Sequence, residues 1–311
     1  MEFDFQIFLQ QILNGLVLGS VYALVALGYT MVYGILQLIN FAHGDVLMVG
    51  AMVGVWVVIH LKDSGLPLVL QLVLAVAAAV PVCVLLSVFI ERVAYRPLRN
   101  APRLAPLITA IGVSIVIQTV AMIIWKPNPI VFPDLLPTTP IMMGEVVLAP
   151  KQLLILVVSA LMMIGLMLLV NKTKLGRAMR ATSENPRIAG LMGVNANQVI
   201  AATFAIGAAL AAVAGVLVAM NYNIVQFTMG IIPGLKAFTA AVLGGIGNLA
   251  GAMLGGLLLG VIESLGAGYI GDLTGGFLGS HYQDIFAFVV LIIVLVFRPS
   301  GIMGERVADR A

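Results

Sequence analysis

Four ionisable side chains, His43, Asp45, Lys236 and Glu263, stand inside stretches that are otherwise apolar. A charge at membrane depth is a candidate functional group by default, as a proton relay, an ion site or a substrate contact. Each of the four also has a plainer explanation. His43 and Asp45 belong to the string NFAHGD, where Asn40 is placed to cap the helix that follows and the polar groups face an interface. Lys236 follows Pro233-Gly234, which predicts a helix break near the headgroups. Glu263 falls late in its apolar run, where its carboxylate reaches water or a neighbour. Four scattered groups do not make the coupling-ion site that a secondary transporter needs. Energy is therefore expected to come from outside this chain.

Catalytic chemistry is not indicated. No Gly-x-x-x-x-Gly-Lys-Ser/Thr phosphate loop occurs, and His43, His60 and His281 are too dispersed for a His-Glu-x-x-His metal motif. Cys83 is the only cysteine, which rules out an internal disulfide and argues against a thiolate metal site. Gly244-Gly245-Ile246-Gly247 resembles a phosphate cradle only out of context, because no strand signal precedes it. A membrane-embedded enzyme would need a clustered nucleophile, base or metal set, and none is present.

The stretch 171–195, NKTKLGRAMRATSENPRIAGLMGVN, is the most informative surface segment. Lys172, Lys174, Arg177, Arg180 and Arg187 supply five of the sixteen Lys and Arg residues, whereas 188–235 contains no charged residue. A basic loop between apolar runs belongs on the cytoplasmic side of a membrane. Asn185 is suited to cap a helix with Pro186 at its first position. Gly193 is suited to end that helix in a left-handed conformation, and Asn195 to cap the next. The pattern predicts a short surface helix over 186–192 that carries Ile188, Leu191 and Met192. An apolar helix held out of the bilayer is read as a docking surface.

The elements that position these groups follow from composition. Of 311 residues, 61% are hydrophobic and 9% charged, against about 25% charged in soluble domains. This is an all-α, polytopic membrane bundle forming one domain over 1–311, and its net charge of +3 is too small and local to suggest nucleic acid. The opening MEFDFQIF lacks a basic n-region, so no cleaved segment is expected and the first span should direct insertion. Charge-free windows place spans within 5–42, 64–90, 104–125, 152–171, 198–220 and 285–297. Residues 46–59 form a shorter element, tilted or partly re-entrant. The glycine-rich stretch 230–271 is either two packed spans or a half-helix and one span. Eight to ten membrane segments of about 20 residues each are expected.

Three basic clusters set the orientation: Arg92, Arg96, Arg99 and Arg103; the 171–195 segment; and Arg298, Arg306 and Arg310. All three are cytoplasmic if even numbers of spans separate them, which also places the C-terminus inside. The proline-rich loop 126–151 then lies outside, while Glu2 and Asp4 leave the N-terminal side ambiguous. Gly247, Gly251 and Gly255 recur at four-residue spacing, and Asn14, Gly15 and Gly19 begin a similar pattern in the first span. Such faces let helix backbones approach closely, either within the subunit or at an interface flanking a pathway.

Four strings carry a resemblance that runs from end to end. GLVLGSVYALVALGYTMVYGILQLINFAHGDVLMVGA (15–51), GRAMRATSENPRIAGLMGVN (176–195), GLKAFTAAVLGGIGNLAGAMLGG (234–256) and FRPSGIMG (297–304) are similar to bacterial branched-chain amino acid ABC permeases. The pattern resembles most the H-type subunits of leucine–isoleucine–valine uptake systems. The resemblance implies an inner-membrane permease subunit that binds no cofactor, paired with a second homologous permease. It implies two cytoplasmic ATPase subunits that carry ATP and Mg, and a periplasmic amino-acid-binding protein. The ATPases would meet the coupling segment, for which the candidates are Gly176, Arg177, Arg180, Glu184, Asn185, Pro186, Ile188, Ala189, Leu191, Gly193 and Asn195. Here Ala181-Thr182-Ser183-Glu184 departs from the Glu-Ala-Ala-Gly signature of other importers, so their individual contacts do not transfer. A path for an aliphatic zwitterion, lined by small, aromatic and amide groups, has Asn14, Tyr22, Asn40, His43, Asn221 and Asn248 as candidates. Another small amino acid or amide is the alternative cargo, and an ion-coupled secondary transporter the alternative class.

Overall fold

The computed structural model describes residues 5–99, 101–102, 104–137, 139–143, 146–275 and 282–304. Glu2, Asp4, Arg103, His281, Arg306 and Arg310 lie outside the described residues.

Among the described residues there are eleven α-helices: α1 (Phe5–Leu36), α2 (His43–Leu61), α3 (Leu68–Ile90), α4 (Leu104–Trp125), α5 (Pro150–Lys172), α6 (Lys174–Glu184), α7 (Pro186–Leu191), α8 (Ala196–Tyr222), α9 (Ile231–Gly244), α10 (Leu249–Leu273) and α11 (Gln283–Phe297). Seven of them are long and apolar enough to cross a membrane, and α9 and α11 are shorter apolar helices. The protein is a multi-pass membrane protein. Among the described residues, strands form two short antiparallel pairs. β1 (Ile130–Val131) pairs with β4 (Ile224–Val225), and β2 (Ile141–Met143) with β3 (Val146–Leu148).

Helix α1 runs through the middle of the bundle, packed along α10, α8 and α9, while α2, α3 and α8 pack mutually against one another. Helices α3, α4 and α5 are peripheral and turn Leu85, Phe89, Ile108, Ile123 and Leu161 outward. Hydrocarbon accepts such faces without penalty, since lipid tails are as apolar as Leu.

Residues 46–59 prove to be part of a full helix. Gln37, at φ +55°, reverses the chain after α1. Residues 37–42 then climb back without helical structure, so α2 starts with His43 against Gly28, about 12 Å above the end of α1 at 1.5 Å per residue. The glycine-rich stretch resolves into the half-length α9 followed by α10, joined by Gly245 and Gly247 at φ +106° and +99°.

Both ends of the bundle are tied by polar contacts. At one end Glu91 pairs with Arg96 at 2.7 Å and with Arg99. Arg99 also donates to Asn197 Oδ1 at the start of α8 (2.5 Å). Arg180 donates to the Val170 carbonyl (2.6 Å), and both line a cleft with Leu249. The N–H groups of Ile302 and Met303 donate to the Leu243 and Gly244 carbonyls (2.9 Å each). The described members of all three basic clusters therefore sit at this end. At the other end Gln10 exchanges two hydrogen bonds with the backbone of Val147 (3.0 and 2.9 Å), and Lys151 donates to the Asn221 carbonyl (3.4 Å). The first turns of α1 thus share an end with the 126–151 loop, a side the residues alone left open.

Cysteines at the exposed positions Arg92 and Glu184 should be labelled from one side of the membrane, and one at Asp134 only from the other. Cys83 is buried and gives no background, and Thr182 is buried and a poor reporter. Labelling of Glu184 and Asp134 positions from the same side would refute this arrangement.

Candidate functional site

The 171–195 segment folds as two helices projecting at the basic end. Thr173 caps α6 by accepting the Gly176 N–H (3.2 Å). Asn185 Oδ1 accepts the N–H groups of Arg187 and Ile188 (3.0 and 3.1 Å), with Pro186 opening α7. Gly193 closes α7 at φ +86°. Its N–H donates to the Gly190 carbonyl (3.1 Å), and Val194 N–H to the Ala189 carbonyl (3.0 Å), the paired bonds of a Schellman ending. Asn195 Oδ1 then accepts from Asn197 and Gln198 (3.1 and 3.3 Å). Helix α7 ends at Leu191, one residue earlier than its sequence pattern suggests.

The segment's residues divide by direction. Gly176 abuts the Val170 backbone and Ala189 is buried, so both face this chain. Arg177, Glu184 and Pro186 are exposed. Ile188, Leu191 and Met192 are 59%, 87% and 81% exposed. A well-capped helix at the charged end of the bundle presents three bare apolar side chains there. Hydrocarbon does not cover that end, so the arrangement fits a protein groove.

Inside the bundle, Lys236, Glu263 and Tyr22 meet. Lys236 Nζ lies 2.6 Å from Glu263 Oε1, and the Tyr22 hydroxyl is 3.3 Å from each partner. The expected break before Lys236 does not occur. Pro233 falls in the first turn of α9, where its missing N–H would have had no helical partner anyway. Lys236 is buried rather than held at the headgroups. A fourth member escaped the sequence reading: Asp284, whose Oδ1 is 2.7 Å from Lys236 Nζ. It stands at the edge of the last apolar run, and no local pattern marks it.

The pathway candidates are not gathered into one site. Tyr22 and Asn221 share a small cleft with Val17, Val218, Tyr222 and Pro233. Asn14 Oδ1 accepts from Gln10 and Gln152 (3.2 Å each), tying α1 to α5. Asn40 does not cap α2. The cap position is Ala42, which makes no side-chain cap bond, and Asn40 Oδ1 instead accepts from the Tyr95 hydroxyl (2.8 Å). The His43 ring packs edge-on to Tyr29 at 5.0 Å, and Asp45 accepts from Gln118 (2.9 Å). Asn248 sits at the basic end. Its Oδ1 accepts the Gly251 N–H (3.0 Å), and its Nδ2 donates to the Met303 carbonyl (2.9 Å).

The glycines also separate. Gly247 is not a helix-packing position: it lies in the α9–α10 turn with open space around it. Its four-residue spacing to Gly251 crosses a helix end. Gly251 and Gly255 do face α9, where a Cβ would run into the backbone of Gly244 and Ala240. Gly256 and Gly260 lie on the other side of α10, against Ala23, Gly19 and Gly15 of α1. These close approaches are all within the chain.

Comparison with known proteins identifies the family. Residues 11–295 match the family described as "Branched-chain amino acid transport system / permease component". The high-affinity branched-chain amino acid transport system permease protein BraD of Pseudomonas aeruginosa is 49% identical over 308 residues, 97% of this chain and 98% of that one. The corresponding protein LivH of Escherichia coli K12 is 42% identical over 323 residues, covering both chains in full. A shorter match, 32% over 130 residues and 40% of this chain, is the autoinducer 2 import system permease protein LsrC of Photorhabdus laumondii. No solved structure matches. With agreement along nearly its whole length, the chain belongs to the permease components of branched-chain amino acid transport systems.

Proposed function

We propose that this chain is one membrane-spanning subunit of an ATP-driven importer that carries leucine, isoleucine and valine across the bacterial inner membrane. The observation that carries this reading, beside the family, is α7, a doubly capped apolar helix bare at the basic end. That end is cytoplasmic in this reading, as the positive-inside rule requires. Two ATPase subunits holding ATP and Mg grip α7 and its counterpart on a second homologous permease. A periplasmic amino-acid-binding protein delivers substrate at the end built from the 126–151 loop, and the chain itself performs no catalysis.

ATP binding draws the two ATPases together and moves α7 as a lever. Because α6 is locked to the end of α5 through Gly176 and Arg180, and α7 runs through Asn195 into α8, movement passes to both spans. The path then alternates between outward- and inward-facing states. A partner drives such a switch only to the extent that it binds the two states with different free energy.

The test is to purify the chain under mild conditions, identify its partners and reconstitute the assembly in vesicles with a leucine-loaded binding protein. Uptake should require ATP and survive a protonophore. Uptake that persists without ATP and collapses with the proton gradient would replace this reading with an ion-coupled transporter.

A further inference from the structure

Tyr22 stands near the middle of α1, roughly 20 Å from either end at 1.5 Å per residue, so the cluster it joins lies deep in the bundle. In that cluster one ammonium, Lys236, serves two carboxylates, Glu263 at 2.6 Å and Asp284 at 2.7 Å. No other Lys or Arg pairs with either acid among the described residues, so with both acids ionised the cluster is one positive charge short. A net charge at this depth is costly unless something balances it.

Two further observations show where the balance is missing. Glu263 is almost fully buried, yet its Oε2 has no hydrogen-bond partner. Asp284 is different: its side chain is 40% exposed although Oδ1 is turned inward against Lys236. The carboxylate is thus partly open, and Ile285 and Phe288 on the same helix are exposed apolar side chains. A carboxylate oxygen that rests against hydrocarbon pays a heavy cost, so an open Asp284 calls for a polar or charged neighbour from outside the chain.

We propose that Asp284, backed by Lys236, Glu263 and Tyr22, is a transient docking point for the α-ammonium group of the amino acid in transit. A primary ammonium supplies the missing positive charge and donates to the open carboxylate oxygen, while its aliphatic side chain rests on the neighbouring apolar surface. Lys236 serves two ends here. It holds Asp284 in position, and it keeps the site from being so negative that the cargo would be trapped. The inference rests on the importer reading above and adds the residue that recognises the cargo's charged end.

The experiment uses the whole reconstituted assembly. Asp284→Asn preserves the shape but cancels the charge. Leucine uptake should fall roughly ten- to hundredfold, the loss of one charge-assisted hydrogen bond, with the second permease still co-purifying. Asp284→Glu should recover much of the loss. In the wild-type assembly, carbodiimide modification of Asp284, mapped by mass spectrometry, should be slowed by leucine and by leucinamide, which keep the ammonium. It should not be slowed by 4-methylpentanoate, which lacks it. This second measurement needs no variant to fold, and it separates a free ammonium from a protein cation that is present with or without cargo. Unchanged uptake in Asp284→Asn, or equal labelling with all three compounds, would reduce the cluster to a structural clamp. Loss of the second permease from the Asp284→Asn assembly would assign Asp284 to an inter-subunit ion pair and overturn the proposal. Wild-type uptake that ignores ATP would defeat the importer reading instead, whatever the variants do.

Discussion

Leu191→Asp should stop ATP-driven uptake almost completely while the protein still inserts and accumulates in the membrane. The side chain is 87% exposed in the isolated chain and touches nothing that holds α7 together. The caps at Asn185 and Gly193 and the buried Ala189 carry that task. Burying a Leu in an ATPase groove stabilises the contact by about 1.5–3 kcal/mol. An aspartate loses that gain and adds the cost of desolvating a charge. Ile188→Asp should act in the same direction, somewhat less strongly, because Ile188 is already partly covered by its own chain. The measurement is ATP hydrolysis stimulated by loaded binding protein, alongside uptake in the same vesicles. Normal stimulation in both variants would show that the ATPases dock elsewhere.

The second large effect is expected at the seam between α1 and α10. A Cβ on Gly260 would collide with the backbones of Gly15 and Gly19. The obstacle is main chain, which cannot rotate away as a side chain does. Overpacking typically costs about 1–3 kcal/mol, and backbone-on-backbone contact places Gly260→Leu at or above the top of that range. The variant should fail to accumulate, because α1 cannot sit in the bundle without this approach. Gly251→Leu meets the shorter α9 and should assemble better than it transports. Gly112→Leu and Gly165→Leu, with open space around both glycines, should be silent because they meet lipid. Normal abundance of Gly260→Leu would mean that α1 and α10 are not locked as described.

What the sequence made legible was local. The ends of α7 were readable because Asn185, Gly193 and Asn195 act on neighbours within a few residues. The long spans were readable because hydrocarbon tolerates few charges. What it hid depends on distant partners. Asn40 looks like a cap until Tyr95, far along the chain, takes its side-chain oxygen. Gly247 keeps the spacing of a packing face, but periodicity carries no notice that α9 stops at Gly244. Lys236 seemed free to reach the headgroups because neither of its acids, Glu263 and Asp284, is near it in sequence. Asp284 was overlooked altogether, as a polar residue at the margin of an apolar run. The pathway candidates were chosen by residue type, and Asn14 and Asn248 turn out to be engaged in joining elements at opposite ends.

The central place of α1 has a consequence for how the protein is made. It leaves the ribosome well before α10: Gly256 and Gly260, which close on it, are synthesised roughly 240 residues later, on the order of 12–50 s at roughly 5–20 residues per second. Through that interval Gly15, Gly19 and Tyr22 wait in the bilayer without their permanent neighbours. A nascent chain truncated before α10 therefore carries an unfinished polar and small-residue face. Membrane quality-control proteases should remove such fragments rapidly, so the bundle gains its resistance to turnover only after its last third has been inserted.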